Sequence, residues 1–167
     1  MDVGKDPSKN PFIIHIYTDG SSKGNPGPGG YGIIMEVKEK NIRKEFSQGF
    51  RLTTNNRMEL LAVIIALEKI KYPYQSIKIF SDSLYVMNPI KKSWLLEWEK
   101  KDFKNKKNPD LWKRFLISYK KHHIDFIWVK GHNKHLENER CDYLASHASK
   151  SNKLSIDYGY EKQMISN

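Results

Sequence analysis

The strongest constraint on the fold is the order in which strand-like and helix-like apolar patterns follow one another. Residues 12–18 (FIIHIYT) form a short, largely apolar stretch typical of a buried strand. Two further strand-like stretches follow at 31–37 and 42–52, and the polar residues KEKN between them predict a hairpin turn. Residues 55–71 then carry apolar side chains at helical spacing, as a one-sided stripe. The remaining predicted elements are a strand at 77–81, helices at 82–87, 94–100 and 110–122, a strand at 124–129 and a helix at 137–150.

This order predicts an α/β domain built on a five-stranded mixed sheet. Strands joined by short turns pair antiparallel, whereas strands separated by a helix can run parallel. Three antiparallel strands should therefore be followed by two parallel strands, with helices covering the sheet. We expect residues 12–150 to form this domain, 1–11 to be a flexible N-terminal extension and 151–167 to be a C-terminal tail.

The size and composition of the chain exclude several classes of protein. A chain of 167 residues corresponds to one domain. Its longest apolar run, Leu60 to Leu67, is far shorter than the ~20 residues that span a membrane. The N-terminal residues lack the apolar stretch of a secretory signal. The chain has one cysteine, Cys141, which excludes an intrachain disulfide and is typical of a reducing compartment. We therefore expect a cytoplasmic protein with no membrane contact.

The net charge of +10 points to a polyanionic partner, most often nucleic acid. Residues 91–123 hold eleven lysines and arginines against four acids, so most of the excess lies in one fifth of the chain. Trp94 and Trp98 interleave with this basic stretch, and aromatic side chains between lysines are typical of nucleic-acid contacts. Two tryptophans four residues apart can also pack a helix onto the core. We favour core packing for Trp98 and leave Trp94 open.

Four acidic residues occupy positions from which their carboxylates could converge. Asp19 follows the first predicted strand and Asp82 follows the fourth. Glu59 and Asp142 lie early in two predicted helices. Converging carboxylates repel each other unless cations lie between them, and hard oxygen ligands suit Mg²⁺ or Mn²⁺. A pair of such ions is a known device for phosphodiester cleavage. Taken singly, each acid is better explained as a turn or helix-cap residue, whereas their joint placement favours a metal site.

Five sequence blocks resemble type 1 ribonuclease H, in the order in which that family carries them. The blocks are 17–21 (YTDGS), 24–32 (GNPGPGGYG), 53–60 (TTNNRMEL), 81–83 (SDS) with Tyr85 and Val86, and 128–142, where WVKGH is followed by ENERCD. They lie between residue 13 and about residue 148. The similarity is closest to the stand-alone bacterial ribonuclease HI enzymes. The resemblance implies the ribonuclease H-like fold for the predicted mixed sheet.

The resemblance also implies an endonuclease that hydrolyses the RNA strand of RNA–DNA hybrids and leaves 5′-phosphate and 3′-hydroxyl ends. It implies two Mg²⁺ ions, replaceable by Mn²⁺, held by the four acids. In the family's arrangement Asp19 bridges both ions, and Asp142 completes the ion that activates the attacking water. Glu59 and Asp82 hold the ion that stabilises the leaving 3′-oxygen. By the same resemblance, His132 shuttles a proton or aids product release.

Residues for substrate recognition follow from the resemblance as well. An enzyme that cuts only RNA must sense the 2′-hydroxyl group, and short polar side chains near the acids suit this task. Thr54 with Asn25 would hold a DNA phosphate, while Asn55 and Asn56 are explained equally well as helix-capping residues. The expected substrate-binding residues are Gly20, Ser22, Asn25, Thr54, Asn55, Asn56, Trp94, Lys100 and Lys101.

Two alternatives to a hybrid-cleaving enzyme stay open at this point. One is a non-catalytic module that binds RNA–DNA hybrids on the same fold. Loss of any of the four acids would have favoured that module, and none is lost. The other is a related polynucleotidyl transferase or exonuclease, since this fold and acid pattern serve several such enzymes, although the blocks at 53–60 and 128–142 argue against it. We expect a monomer, because hybrid cleavage needs only one site.

Overall fold

The computed structural model describes residues 12–131 and 135–166, and these contain five strands and six α-helices. The strands are β1 (Ile13–Ser22), β2 (Gly27–Val37), β3 (Ile42–Thr53), β4 (Ser76–Ser81) and β5 (His123–Trp128). The helices are α1 (Asn55–Glu68), α2 (Leu84–Lys91), α3 (Trp94–Lys100), α4 (Pro109–Tyr119), α5 (Leu136–Ser149) and α6 (Tyr158–Ile165). Among the described helices, none has both the length and the apolar composition needed to cross a membrane.

All five strands belong to one sheet, in the order β3-β2-β1-β4-β5. β2 pairs antiparallel with both β1 and β3, whereas β4 pairs parallel with both β1 and β5. The predicted mixed sheet is therefore confirmed. Helices join the parallel strands because a tight turn cannot connect two strands that run in the same direction. β1 occupies the centre of the sheet, where the antiparallel and the parallel halves meet.

Several element boundaries differ from the prediction. β1 continues past residue 18 to Ser22, so Asp19 lies within the strand and pairs with Gly32 instead of following the strand's end. The glycine-rich residues 27–30, which lie outside the predicted strands, form the start of β2 and pair with the end of β1. α2 begins at residue 84 and runs through Pro89. Pro89 is buried there, so packing offsets the backbone hydrogen bond that it cannot donate.

Different helices cover the two faces of the sheet. Neighbouring residues of a strand point to opposite faces, so Ile16 packs in the core with α1, while Tyr17 packs against Cys141 of α5. α1 is buried on nearly all sides, which differs from the predicted one-sided stripe. The reason is a second layer, because α4 packs on α1 and its fully buried Trp112 belongs to the same core.

The C-terminal segment 151–166 packs against β3. The backbone N–H of Ser155 donates to the Gly49 carbonyl at 2.9 Å, and the Ser155 carbonyl accepts from the Arg51 N–H at 3.0 Å. α6 follows, and its cap Asp157 accepts a hydrogen bond from the Tyr160 N–H at 3.3 Å. The sequence patterns do not predict this helix, since it is short and its stability comes from contacts with distant residues.

Candidate active site

Three of the four acids lie together at one end of the central strands. Asp19 is on β1, Glu59 is on α1, and Asp82 directly follows β4. One carboxylate oxygen from each residue lies within 4.8 Å of the other two. Asp19 and Glu59 are buried and Asp82 is half-buried. These three residues, here called the acidic cluster, therefore form a recessed and strongly negative site.

The parallel pairing of β1 with β4 places Asp19 beside Asp82. Tyr17 pairs with Phe80 in this ladder, and each acid follows two residues later along the chain, Asp19 within β1 and Asp82 just after β4. Trp128 at the end of β5 fixes the backbone at this point, because its indole Nε1–H donates to the Asp82 carbonyl at 3.1 Å. The order of the strands thus accounts for the proximity of Asp19 and Asp82 in the acidic cluster.

Glu59 belongs to the cluster because α1 approaches β1 closely at Gly20. A Cβ atom on residue 20 would lie 2.3 Å from the Glu59 backbone nitrogen, so a side chain there would push the helix away from the strand. Thr54 sets the start of α1, since its hydroxyl accepts a hydrogen bond from the Arg57 N–H at 3.3 Å. Glu59 then lies in the second turn of α1, next to the end of the sheet.

Asp142 approaches the cluster from the other face of the sheet. A Cβ atom at Gly32 would lie 2.2 Å from the Cys141 carbonyl oxygen, so this glycine allows α5 to lie close to β2. The Cys141 thiol donates to the Tyr17 carbonyl at 3.3 Å and ties α5 to β1. Asp142 is half-buried, and its charge adds to the effect of burial in raising the pKa of Asp19. The structure thus brings three acids into tight proximity and places the fourth beside them.

The electrostatics of the acidic cluster favour a bound cation. Burial raises the pKa of Asp19 to about 8, and the charge of Asp82 acts in the same direction. Burial also raises the pKa of Glu59 well above its usual range, with further contributions from Asp19 and Asp82. The Oε2 atom of Glu59 is buried and has no hydrogen-bond partner among the described residues. Converging carboxylate oxygens of this kind fit a divalent cation such as Mg²⁺, which would balance their charge.

We expect the cation-free protein to lose stability as the pH rises from about 4 to about 8. The Asp19 carboxyl keeps its proton up to a pKa of about 8 in the folded protein, compared with an ordinary value of 3.8. Over this range the folded protein binds more protons than the unfolded chain, so rising pH favours unfolding. Urea denaturation in EDTA at a series of pH values measures the slope, and Mg²⁺ should reduce it. An identical slope in Asp19→Asn would contradict this origin.

Sequence relatives identify the family. A family model described as RNase H matches residues 12–150. The chain belongs to the ribonuclease H family. It is similar to a Ribonuclease H of Shewanella sp. (strain MR-4), with 52% identity over 156 residues that cover 90% of this chain and 96% of the relative. A Ribonuclease H of Trichodesmium erythraeum is 48% identical over 153 residues, which cover 89% of this chain and 96% of that relative.

Solved structures of type 1 ribonucleases H share the fold. LC9-RNase H1, a type 1 RNase H with the type 2 active-site motif, matches with a TM-score of 0.72 and 26% identity, covering 91% of this chain and 80% of that chain. LC11-RNase H1, whose structure is in complex with an RNA/DNA hybrid, gives a TM-score of 0.58 at 27% identity, covering 81% and 95%. The ribonuclease H-like fold implied by the sequence blocks is confirmed. Ribonucleases H cleave the RNA strand of RNA–DNA hybrids, and this chain is an endoribonuclease of that family.

One group of expected substrate-binding residues surrounds the start of α1. The Asn25 side-chain oxygen accepts a hydrogen bond from the Asn55 N–H at 3.1 Å, which joins the β1–β2 turn to the helix. Ser22 is the last residue of β1, and its hydroxyl donates to the Gly24 carbonyl of that turn at 2.6 Å. The cap of α1 is Thr54, so capping does not account for Asn55 or for the exposed Asn56. Their contact with substrate stays a prediction.

The other group lies on α3 and just after it. Trp98 packs edge-on against Trp112 and joins the core, which confirms the interpretation favoured for it. Trp94 is 43% exposed, stacks on Trp98, and has the Lys92 ammonium 4.9 Å from its ring centroid. Lys100 and Lys101 are also exposed. This surface carries the basic charge that the sequence concentrates between residues 91 and 123.

The sequence patterns do not predict an ion-pair cluster that lies behind α1. Arg57 is 1% exposed and pairs with Asp110 and Asp157, with N–O distances of 2.8 Å to each. The Thr53 hydroxyl also donates to Asp157, at 2.7 Å. Burial alone would lower the pKa of Arg57, but the hydrogen bonds and charges of both aspartates outweigh it and raise that pKa. The one sequence signal is an arginine inside an otherwise apolar helix, and it does not identify partners 53 and 100 residues away.

His132 lies in 132–134, outside the described residues. The preceding residue, Gly131, lies beside the acidic cluster, because a Cβ atom on it would lie 2.7 Å from the Asp82 Oδ2 atom. The role of His132 in proton transfer or product release stays a prediction.

Proposed function

We propose that this enzyme cuts the RNA strand of RNA–DNA hybrids at internal positions with two Mg²⁺ ions and leaves 5′-phosphate and 3′-hydroxyl ends. The observation that carries the proposal is the convergence of Asp19, Glu59 and Asp82 within 4.8 Å. The buried Glu59 oxygen, which has no hydrogen-bond partner among the described residues, supports a role as a cation ligand. Without a cation, carboxylates this close would repel one another.

The four acids would hold the ions in the arrangement that the family resemblance implies. Asp82 and Asp142 both raise the pKa of Asp19, in addition to the larger effect of burial, so Asp19 is the acid on which the other charges act and suits a shared ligand. Glu59 and Asp82 would complete one binding position and Asp142 the other. When bound, the ions would lower the pKa of water and neutralise charge on the phosphodiester. Mn²⁺ also accepts hard oxygen ligands and would fit the same residues.

Polar residues at the start of α1 would position the hybrid. Thr54 and Asn25 offer a hydroxyl and an amide to a phosphate of the DNA strand. Asn55 and Asn56 carry groups that both donate and accept, which suits a 2′-hydroxyl in the shallow minor groove of the hybrid. Gly20 and Ser22 on β1 would let the substrate backbone approach Asp19.

The remaining contacts would lie on either side of these polar residues. Lys100 and Lys101 would neutralise phosphates, and the exposed part of the Trp94 side chain would lie against a sugar or a base. His132 would accept or donate the proton that moves between water and the leaving oxygen, because an imidazole exchanges protons near neutral pH.

We further propose that the enzyme acts as a cytoplasmic monomer. One chain supplies all four acids, so a single protomer contains the whole proposed site. The unpaired, buried Cys141 supports a reducing compartment.

A cleavage assay on end-labelled nucleic acids tests the proposed function. With Mg²⁺, we expect internal cuts in the RNA strand of an RNA–DNA hybrid, while single-stranded RNA, duplex RNA and duplex DNA stay intact. EDTA should abolish the cuts, and Mg²⁺ or Mn²⁺ should restore them. Ligation of the fragments tests for the 5′-phosphate and 3′-hydroxyl ends. Binding of the hybrid without cleavage in either metal would refute catalysis and support a hybrid-binding module.

A further inference from the structure

A groove lies between the start of α1 and the C-terminal helix α6. Its volume is about 840 Å³. Asn25 and Thr54, which the proposed function assigns to a DNA phosphate, form one end of it. Its far wall is α6, which lies beyond residues 12–150 that the family model matches. This space, called the α6 groove below, is continuous with the proposed substrate surface.

The side of α6 that lines the groove is polar and positively charged. Gly159, Lys162 and Gln163 recur at the spacing of one helix face and belong to the lining. Glu161 is engaged elsewhere, since both of its carboxylate oxygens accept hydrogen bonds from Arg51 of β3, at 2.7 and 2.8 Å. The acid of this helix therefore does not reduce the positive charge of the groove wall.

The opposite wall adds more positive charge. Lys106 and Lys107 line it together with Asp110. Arg57 neutralises Asp110, because its guanidinium donates to both carboxylate oxygens at 2.8 and 2.9 Å. Asp157 is the second partner of Arg57 and lies behind the groove. Counted together, the groove lining and these ion pairs contain two carboxylates (Asp110, Asp157), three lysines (Lys106, Lys107, Lys162) and one arginine (Arg57). The groove is therefore net positive.

The α6 wall is held in place before any ligand arrives. Asp157 caps the helix and pairs with the buried Arg57 at 2.8 Å, and the Arg51–Glu161 pair holds the next turn. Lys162 follows Glu161 and is exposed. Within the described ranges, no ion pair engages its ammonium group. A preformed wall loses little conformational entropy when a ligand binds, so this lysine is well placed to contribute to affinity.

We propose that α6 is a nucleic-acid-binding element in which Lys162 neutralises a phosphate of the DNA strand, beyond the phosphate held by Thr54 and Asn25. This inference rests on the proposed function, because the occupant is the DNA strand of the hybrid. Lysine, amide and hydroxyl groups around a net positive groove are the usual contacts of a phosphate backbone. The eight residues of α6 extend for about 12 Å, so the wall is long enough to face more than one phosphate.

Equilibrium binding to a labelled RNA–DNA hybrid tests the inference, in an Asp19→Asn background that prevents cleavage. We expect Lys162→Ala to weaken binding about 3- to 10-fold at ~0.1 M salt and to reduce the slope of log K against log salt by about 1. Lys153→Ala is the matched control, because it removes an exposed lysine of the same C-terminal segment outside the groove. Gln163→Lys should act in the opposite direction and strengthen binding.

Uncharged methylphosphonate linkages identify the strand that meets α6. Placed in the DNA strand, they should remove the difference between Lys162→Ala and its parent. A difference that disappears only with neutral linkages in the RNA strand would overturn the proposal. Equal affinity and salt slope for Lys162→Ala and Lys153→Ala would overturn it as well, and would leave the groove to an acidic protein partner. Cleavage by the unmodified enzyme is measured in parallel, so hybrid cutting without a Lys162 effect refutes this inference alone.

Discussion

Replacing Asp19 by Asn is expected to reduce kcat/KM for hybrid cleavage at least about 1000-fold, which corresponds to about 4 kcal/mol of lost transition-state stabilisation. Asp19 is the acid that interacts with Asp82, Glu59 and Asp142, so a neutral amide at this position weakens every cation position of the site. Initial rates on an end-labelled RNA–DNA hybrid in Mg²⁺ measure the effect.

The loss of activity in Asp19→Asn should occur without unfolding. At neutral pH the Asp19 carboxyl must take up a proton when the cation-free parent folds, whereas the amide is neutral already, so we expect the cation-free variant to be more stable than the parent. Asp125→Asn is the matched control, because Asp125 is an exposed acid on β5 at the other end of the sheet. Activity within tenfold of the parent in Asp19→Asn would contradict the central role given to this carboxylate.

Replacing Asp157 by Ala is expected to destabilise the folded protein by about 3 kcal/mol. The substitution leaves the buried Arg57 with one partner instead of two, removes the cap of α6 and leaves the Thr53 hydroxyl without its acceptor. For a chain of this size, the melting temperature should fall by about 6–12 °C. Thermal and urea denaturation measure the change, with Mg²⁺ and the pH held constant.

A second ion pair of the same helix provides the control for Asp157→Ala. Glu161 pairs with Arg51 on the surface, and Glu161→Ala should leave the free energy of unfolding nearly unchanged because water screens that pair. Asp157→Asn keeps a hydrogen-bonding group while it removes the charge, so its stability should lie between that of Asp157→Ala and the parent. Equal free energies of unfolding for Asp157→Ala and Glu161→Ala would contradict the prediction, because the buried Arg57–Asp157 pair would then stabilise the protein no more than the surface pair.

The sheet is predictable from local sequence patterns, and the differences between predicted and observed strand boundaries have a local cause. Apolar runs separated by turn residues gave the number and the order of the strands, and the position of the helices gave their direction. The predicted strand ends at residue 18, four residues before the end of β1, because a glycine-rich sequence without a pairing partner favours a loop. In the folded chain, that stretch pairs with β1 and provides the close approach between Gly32 and Cys141.

Much of the candidate site was predictable for a related reason. Asp19 and Asp82 converge because β1 and β4 are adjacent parallel strands, so the residues two positions beyond the Tyr17–Phe80 pair lie side by side. The proximity of Asp142 depends instead on how closely α5 packs on β2. Neither the tight grouping of three acids nor the position of the fourth can be derived from spacing along the chain.

The sequence by itself determined the mixed sheet, the concentration of basic residues and the choice of the four acids as candidate metal ligands. It could do so because periodicity, charge and short motifs are properties of neighbouring residues. Only the tertiary structure decided that Arg57 is buried between Asp110 and Asp157, and that α6 forms a wall beside Thr54. Those contacts join residues that are 53 and 100 positions apart. Which distant segments meet depends on packing and on the pairing of buried charges, and no local pattern records that choice.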